Sequence, residues 1–390
     1  GILFSLYAKY ANNLPIGVHN WAQSDRYSVA QMYVNETDFF TARTHNLSTI
    51  DGRCGVEFPA VQYISARLAS LTSPNNLPVI YRTTNLVILL IGLWMFVLAW
   101  EVQTEVKLSA AFLLFFSPVL VFYGFNFLPD TTGLGLLLIG LSFFVRFNQH
   151  RRLKYVLLSI VFAGLASLVK TTCGIYFLAL SGTYVLHFLK PIQFKNGIIF
   201  LLSFIGIAGI IIGYDYFYFH KVNADFYSRI FMSKQQPLES MADFRGFRKA
   251  IQYWHGQYLT WAQTILLFGL MARAFMHRQK LGENLLGRNF ILISLIGLVL
   301  FLVLLGKQFI NHDYYFIAAI LPMYSLLIWH LIYIQKNIPF FTSNTFKLVL
   351  FGLALFSVIP SAVMYPDRMS SNFIWKHRDI INDIEWMYRV

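Results

Sequence analysis

Charge is what this sequence has least of. Only 13% of its 390 residues are Asp, Glu, Lys or Arg, roughly half the 25% usual in soluble domains. A water-facing exterior around an ordinary soluble core is thereby excluded. Cysteine is scarcer still: Cys54 and Cys173 stand alone, which rules out a disulfide framework and a cysteine zinc site. Both fall toward one face in the topology derived below, so a single bridge between them stays open. No phosphate-binding glycine loop and no nucleic-acid-binding module is present. Internal repeats, low-complexity tracts and flexible linkers are absent as well. The apolar runs lack period-two alternation, which excludes a transmembrane barrel.

What the chain does have is long apolar sequence. It is 57% hydrophobic and 17% aromatic, with a mean hydropathy of +0.55. Runs near 20 residues recur, each long enough to cross roughly 30 Å of hydrocarbon. The expected fold class is therefore an all-α polytopic membrane protein. The first stretch, Gly1 to Ala8, is too short to span and reads as the tail of a truncated first helix. Further spans are expected near 79–100, 107–126, 130–147, 154–170, 172–189, 196–217, 259–276, 288–306, 314–334 and 346–365. With the tail that makes about eleven, and Lys170 to Gly174 reads as a turn between two short helices.

The net charge of +13 fits basic residues flanking spans beside anionic headgroups better than a nucleic-acid partner. Alternate connections separate by charge. Lys107, Arg146, Arg151, Arg152, Lys154 and Lys190 share one side with Lys195, Arg273, Arg278, Lys280, Arg288, Lys336 and Lys347. Only Glu101, Glu105 and Glu283 accompany them. Basic bias in short loops marks the cytoplasmic side, so the long segments 9–78, 218–258 and 366–390 are extracytoplasmic. Residues 1–365 read as one transmembrane module. The polar and aromatic segment 366–390 reads as the start of a further outer-face domain. Ala22 to Tyr33, Glu57 to Leu71 and Phe244 to Tyr258 have apolar residues at helical spacing, as helices lying in the headgroup zone do. Asn35-Glu36-Thr37 and Asn46-Leu47-Ser48 match the glycosylation acceptor pattern, which matters only in a eukaryotic secretory setting.

Three acids sit beside outer helix ends: Asp25, Glu57 and Asp130. Helix capping explains an acid in a first turn, but three at one interface point to a joint site. Arg82, Lys170 and Lys307 lie at outer span ends. Snorkelling explains such cations singly; together they suit a lipid phosphate. Lys307 also opens a polar tip, with His312, Asp313, Tyr314 and Tyr315 leading into a span.

The order Asp25-Arg26-Tyr27, Glu57-Phe58-Pro59, Arg82, Leu128-Pro129-Asp130 and His312-Asp313-Tyr314-Tyr315 resembles the GT-C membrane glycosyltransferases. Within them it is most similar to the protein O-mannosyltransferase and lipid A aminoarabinose transferase group. The likeness covers nearly the whole chain as topology, through short motifs. It implies a GT-C-like bundle with amphipathic juxtamembrane helices in the first outer loop. It also implies a polyprenyl monophosphate sugar as donor, basic residues holding its phosphate, and an acid of the first outer loop at the catalytic centre. Asp25 best matches that acid. Relatives often carry an Asp-Glu pair just before the Arg-Tyr, whereas here Gln23 and Ser24 precede a single Asp25.

The resulting expectation is a glycosyltransferase of the bacterial inner membrane, acting on a lipid, glycan or protein acceptor at the outer face. Asp25 is the expected base, supported by Asp130 and Glu57. Arg82, Lys170 and Lys307 are the phosphate candidates, with His312 and Tyr315 near the donor and Arg26 and Tyr27 as acceptor or loop contacts. A monophosphate donor does not demand a divalent metal, so no cofactor is expected. The alternative is a transporter or flippase of lipid-linked saccharides, which should show paired broken helices and midplane charges. A non-catalytic assembly partner is a third reading, in which these acids only cap helices.

Overall fold

A computed structural model describes residues 2–36, 38–40, 42–45, 49–188, 194–228, 236–276 and 285–370. The expected outer-face segment past 370, Asn46-Leu47-Ser48 and Thr37 lie outside the described residues. So do Lys190, Arg278, Lys280 and Glu283 of the basic loops. A short α1 (Ile2–Tyr10) precedes the first outer loop, which folds into α2 (Asn20–Asn35) and α3 (Ala60–Thr72). Next come α4 (Leu77–Leu98), α5 (Thr104–Phe115), α6 (Pro118–Gly124) and α7 (Asp130–His150). α8 (Leu153–Val169) and α9 (Gly174–Phe188) flank a 3₁₀ turn at Thr171–Cys173, within the stretch read as a turn. α10 (Phe194–Gly213) runs on through a π-helical stretch, Tyr214–His220, into α11 (Lys221–Asp225). Then follow α12 (Met241–Tyr258), α13 (Trp261–Met276), α14 (Leu285–Asn311) and α15 (Tyr315–Ala319). α16 (Leu321–Gln335), α17 (Pro339–Thr342) and α18 (Asn344–Ser370) are the last described helices. Among the described residues no strand forms, only an isolated bridge between Arg43 and Arg53.

The chain is a multi-pass integral membrane protein, and the described helices do not establish the expected count of about eleven spans. Among the described residues six helices are long and apolar enough to cross a membrane, or up to eight if each of two bent pairs is one span. α8 and α9 have 17 and 15 residues, which at about 1.5 Å per residue fall short of a roughly 30 Å core. The stretch expected at 107–126 is broken by 78° between α5 and α6. Pro118 at the start of α6 has no N–H to continue the helix. Carbonyls near the break need partners, since apolar surroundings supply no water. Gln263 donates to the Leu113 carbonyl at 2.6 Å, Ser361 to Phe116 at 2.7 Å and Tyr7 to Val121 at 2.8 Å. α12 meets α13 at 100°, a second bent pair.

α7 packs between α4 and α8 and is buried along nearly all its length. The crossing with α4 depends on glycine: a Cβ on Gly92 would lie 2.1 Å from the Gly135 carbonyl oxygen. Small residues let membrane helices approach to backbone contact. α4 also carries a polar inner face. Asn85 donates to the carbonyls of Asn126 (2.7 Å) and Leu128 (3.2 Å), which holds the loop that delivers Asp130 at the head of α7. Gly92→Val should therefore destabilise the protein by about 1–3 kcal/mol, the usual range for overpacking. Gly206→Val, with open space around the glycine, should leave the thermal-unfolding midpoint in detergent unchanged. Equal shifts for the two variants would contradict the close crossing.

Candidate active site

α2 begins after His19, which takes a left-handed backbone conformation. From there Trp21, Ala22, Asp25 and Arg26 fall on one helical face, and that face lines a cavity of about 600 Å³. The size suits a small ligand or headgroup. Asp25 lies beyond the first turn, which holds no acid, so capping does not account for it. Among the described residues it has no hydrogen bond or ion pair. Burial raises its pKa from 3.8 to about 6, with Arg26 pulling the other way.

Glu57 precedes α3 rather than opening it, and reaches the cavity from an anchored loop. The Gly55 N–H donates to Asn223 Oδ1 at 3.0 Å, and Asn223 Nδ2 donates back to the Gly55 carbonyl at 3.1 Å. A Cβ on Gly55 would sit 2.4 Å from the Phe219 carbonyl oxygen, so this docking requires glycine. Phe58 N–H adds a bond to the Leu168 carbonyl at 3.1 Å, tying the loop to the end of α8.

Lys170, just past α8, joins these parts. Its Nζ lies 3.4 Å from a carboxylate oxygen of Glu57 and 3.4 Å from one of Asp130. Arg26 donates to the other oxygen of Glu57 at 2.7 Å. Burial alone would raise the pKa of Glu57, but Lys170 and Arg26 outweigh it and the net shift is downward. Burial likewise opposes the charge on Lys170, and Asp130 and Glu57 more than restore it. Two cations and two anions thus make a neutral, nearly dry cluster beside the unpaired Asp25. Among the described residues no three His, Cys, Asp or Glu side chains converge to hold a metal ion.

The opposite wall comes from α14 and the segment after it. α14 is kinked at Leu305, and Gln308 and His312 beyond the kink line the cavity with Tyr314 and Tyr315. Lys170 Nζ stands 5.1 Å from the Tyr315 ring centre and 5.8 Å from that of Tyr314. Between them Asp313 turns inward to a second buried network. It pairs with Arg368, accepts from the Tyr123 hydroxyl at 2.7 Å and meets His19 Nε2 at 3.1 Å. Burial would raise the pKa of Asp313, yet Arg368 and His19 hold it well below the usual carboxylate range. The end of α18 is thereby locked to the start of α2. The Arg368 carbonyl accepts from Val18 N–H at 3.0 Å, and a Cβ on Gly17 (φ 81°) would meet that oxygen at 2.4 Å.

The structure thus brings together Asp25, Arg26, Glu57, Asp130, Lys170, His312 and Tyr315 around one cavity. It does not bring Arg82, Lys307 or Tyr27 there. Arg82 is buried, donating to the carbonyls of Tyr10 and Ala11 at 2.8 and 2.9 Å, with Phe127 under its guanidinium. It holds the end of α1 and is not among the residues lining the cavity. Lys307 pairs with Glu239 at 3.2 Å and Asp243 at 3.3 Å outside the lining. Tyr27 packs against Phe127 on the other face of α2. Cys54 and Cys173 are free thiols in separate clusters, so the bridge left open does not form. Sequence reasoning assigned nothing to Trp21, Tyr214, Asp215 and His220, which also line the cavity. Trp21 carried a usable signal, one turn before Asp25; the π-helical residues carried none.

Over residues 57–214 the chain matches the family model described as dolichyl-phosphate-mannose-protein mannosyltransferase. No curated protein matches it in sequence. Two crystal structures of ArnT from Cupriavidus metallidurans are similar to it. The apo form has 14% identity and a TM-score of 0.53. The form bound to undecaprenyl phosphate has 13% identity and a TM-score of 0.55. Both comparisons cover 91% of this chain, which spans about 62% of the length of those structures. Family match and architecture agree: this chain has the fold of the GT-C membrane glycosyltransferases that its sequence resembles.

Proposed function

We propose that the protein transfers a sugar from a polyprenyl monophosphate carrier to an acceptor hydroxyl or phosphate, with inversion at the anomeric carbon. The observation that carries this reading is an unpaired Asp25, half-ionised near pH 6, facing the same cavity as Lys170 and Arg26. The similar ArnT structure with undecaprenyl phosphate bound and the mannosyltransferase family match support a lipid-linked donor. The acceptor is a lipid, glycan or protein, and the site faces the periplasm from a bacterial inner membrane.

In this scheme the acceptor oxygen attacks the anomeric carbon as Asp25 takes its proton. The bond from that carbon to the phosphate oxygen breaks, and its electron pair leaves with the carrier phosphate. Lys170, with Arg26, stabilises the charge that gathers there in a largely dry site. Glu57 and Asp130 keep both cations charged and aimed, and Tyr315 and His312 flank the donor. One displacement suffices, and Asp25 later releases its proton to water. The leaving phosphate is met by side-chain cations, so no divalent metal enters the scheme. Arg82, Lys307 and Tyr27 have no part in it.

Three outcomes test the scheme in nanodiscs with a polyprenyl-phosphate sugar donor. Asp25→Asn should lower turnover by about 10²–10⁴-fold, the usual worth of a general base, with little change in donor KM. Wild-type turnover retained by a folded Asp25→Asn variant would remove Asp25 from the mechanism. A base with a raised pKa is protonated, and useless, below about pH 6. The rate should therefore climb with pH through that value and level off above it, and a profile flat from pH 5 to 8 would contradict the assignment. EDTA should leave the rate unchanged; loss of activity restored by Mn²⁺ would overturn the metal-free scheme.

A further inference from the structure

A glycosyl ring in this cavity has to lie between the carrier phosphate and the base, and the wall joining those two poles is aromatic. From Lys170 the Tyr315 ring centre is 5.1 Å away. Tyr315 is 5.8 Å from His312, and His312 is 5.6 Å from Trp21. Asp25 follows one helical turn later on the same face. Trp21 is 44% exposed although it lines the cavity, so beyond its edge contacts with His312 and His19 much of its surface is open to a ligand. His312 is fixed from behind. Its Nδ1 is 2.8 Å from the Gln308 carbonyl, which can only accept, so Nδ1 carries the hydrogen. In the neutral ring Nε2 is then an acceptor, and among the described residues it has no hydrogen-bond partner. Burial lowers the pKa of this imidazole and favours the neutral form. The ring also lies parallel to His19, at 6.0 Å, which Asp313 holds in turn.

We propose that Trp21 and His312 form the subsite for the transferred sugar: the indole packs the C–H face of the ring, and His312 Nε2 accepts one of its hydroxyls. This inference rests on the transferase reading and adds to it the part of the cavity that recognises the sugar. The chemistry fits a glycosyl ring better than an isoprenoid tail or a second phosphate. A sugar offers C–H groups on its faces and O–H donors around its rim. A tail has no donor for Nε2, and a phosphate dianion would meet an acceptor lone pair.

The test compares binding of bare undecaprenyl phosphate with undecaprenyl phosphates carrying mannose or 4-aminoarabinose, to the full chain in nanodiscs. Wild type should bind at least one glycosylated carrier about 2–10-fold more tightly than the bare one, the range of an aromatic contact. Trp21→Ala should abolish that gain while bare-carrier affinity and thermal midpoint stay unchanged. Trp21→Phe should keep most of it, and His312→Gln should keep more than His312→Ala, because a glutamine carbonyl still accepts. Equal loss of bare and glycosylated carrier in Trp21→Ala would make this a tail or phosphate contact and overturn the proposal. A wild-type gain that survives Trp21→Ala would overturn it as well. So would a wild type that binds bare carrier and gains nothing from either sugar, with the transferase reading left standing. A wild type that binds no carrier at all would sink the transferase reading, and the subsite with it.

Discussion

The Lys170 ammonium between Glu57 and Asp130 is the contact on which the rest of the site depends. A buried lysine is costly unless carboxylates meet it, and each carboxylate here is delivered by a different element. Glu57 comes from the loop that Asn223 clasps at Gly55, and Asp130 from the head of α7. Removing the lysine would leave two carboxylates facing one another in a nearly dry pocket. Removing either acid would strip part of what keeps the ammonium charged. The cluster therefore constrains three elements at once, which is why the loop carrying Glu57 docks against the membrane helices.

Two further polar devices set the frame around that contact. On α4, Arg82 and Asn85 are one turn apart and both point into the protein. Arg82 donates to carbonyls at the end of α1, and Asn85 to those of the loop before α7. On the other side, Asp313 with Arg368, Tyr123 and His19 joins α18, α6 and the start of α2. Each of these side chains sits where apolar packing alone would give no reason for a polar group. Together they fix the angle at which α2 presents Asp25 and Trp21, because both ends of the preceding loop are held.

The spans were legible because hydrocarbon demands long apolar runs, and ten such runs can be read directly. Their number was less legible, since Pro118 bends a stretch that looks continuous by hydropathy, whereas the turn at Lys170–Gly174 could be read. The convergence of Asp25, Glu57, Asp130 and Lys170 could be anticipated from span ends and charge bias. Arg82 and Lys307 show where that reasoning stops. All three cations lie at outer span ends, but a position along a helix says nothing about which way around it the side chain points. Only packing decides that Lys170 faces the cavity while Arg82 faces the carbonyls of Tyr10 and Ala11. Arg368 was hidden for a related reason: it ends a proline-containing helix and pairs with Asp313, 55 residues away in sequence.

Electrostatic balance connects the cluster to the proposed chemistry. Arg26 and Lys170 are matched by Glu57 and Asp130, so that cluster is neutral by itself, and Asp25 and Asp215 are the further acids lining the cavity. An arriving carrier phosphate adds negative charge next to cations already positioned and charged, and little reorganisation is needed to receive it. That phosphate would share the cavity with Asp25 in the proposed transfer, across the sugar ring, and a like charge in the same cavity raises a carboxylate's proton affinity. In the proposed transfer, Asp25 is thus the stronger base while the donor is bound and loses that advantage when the carrier phosphate departs. Proton uptake is favoured during attack and proton release after it, by the charge of the substrate itself.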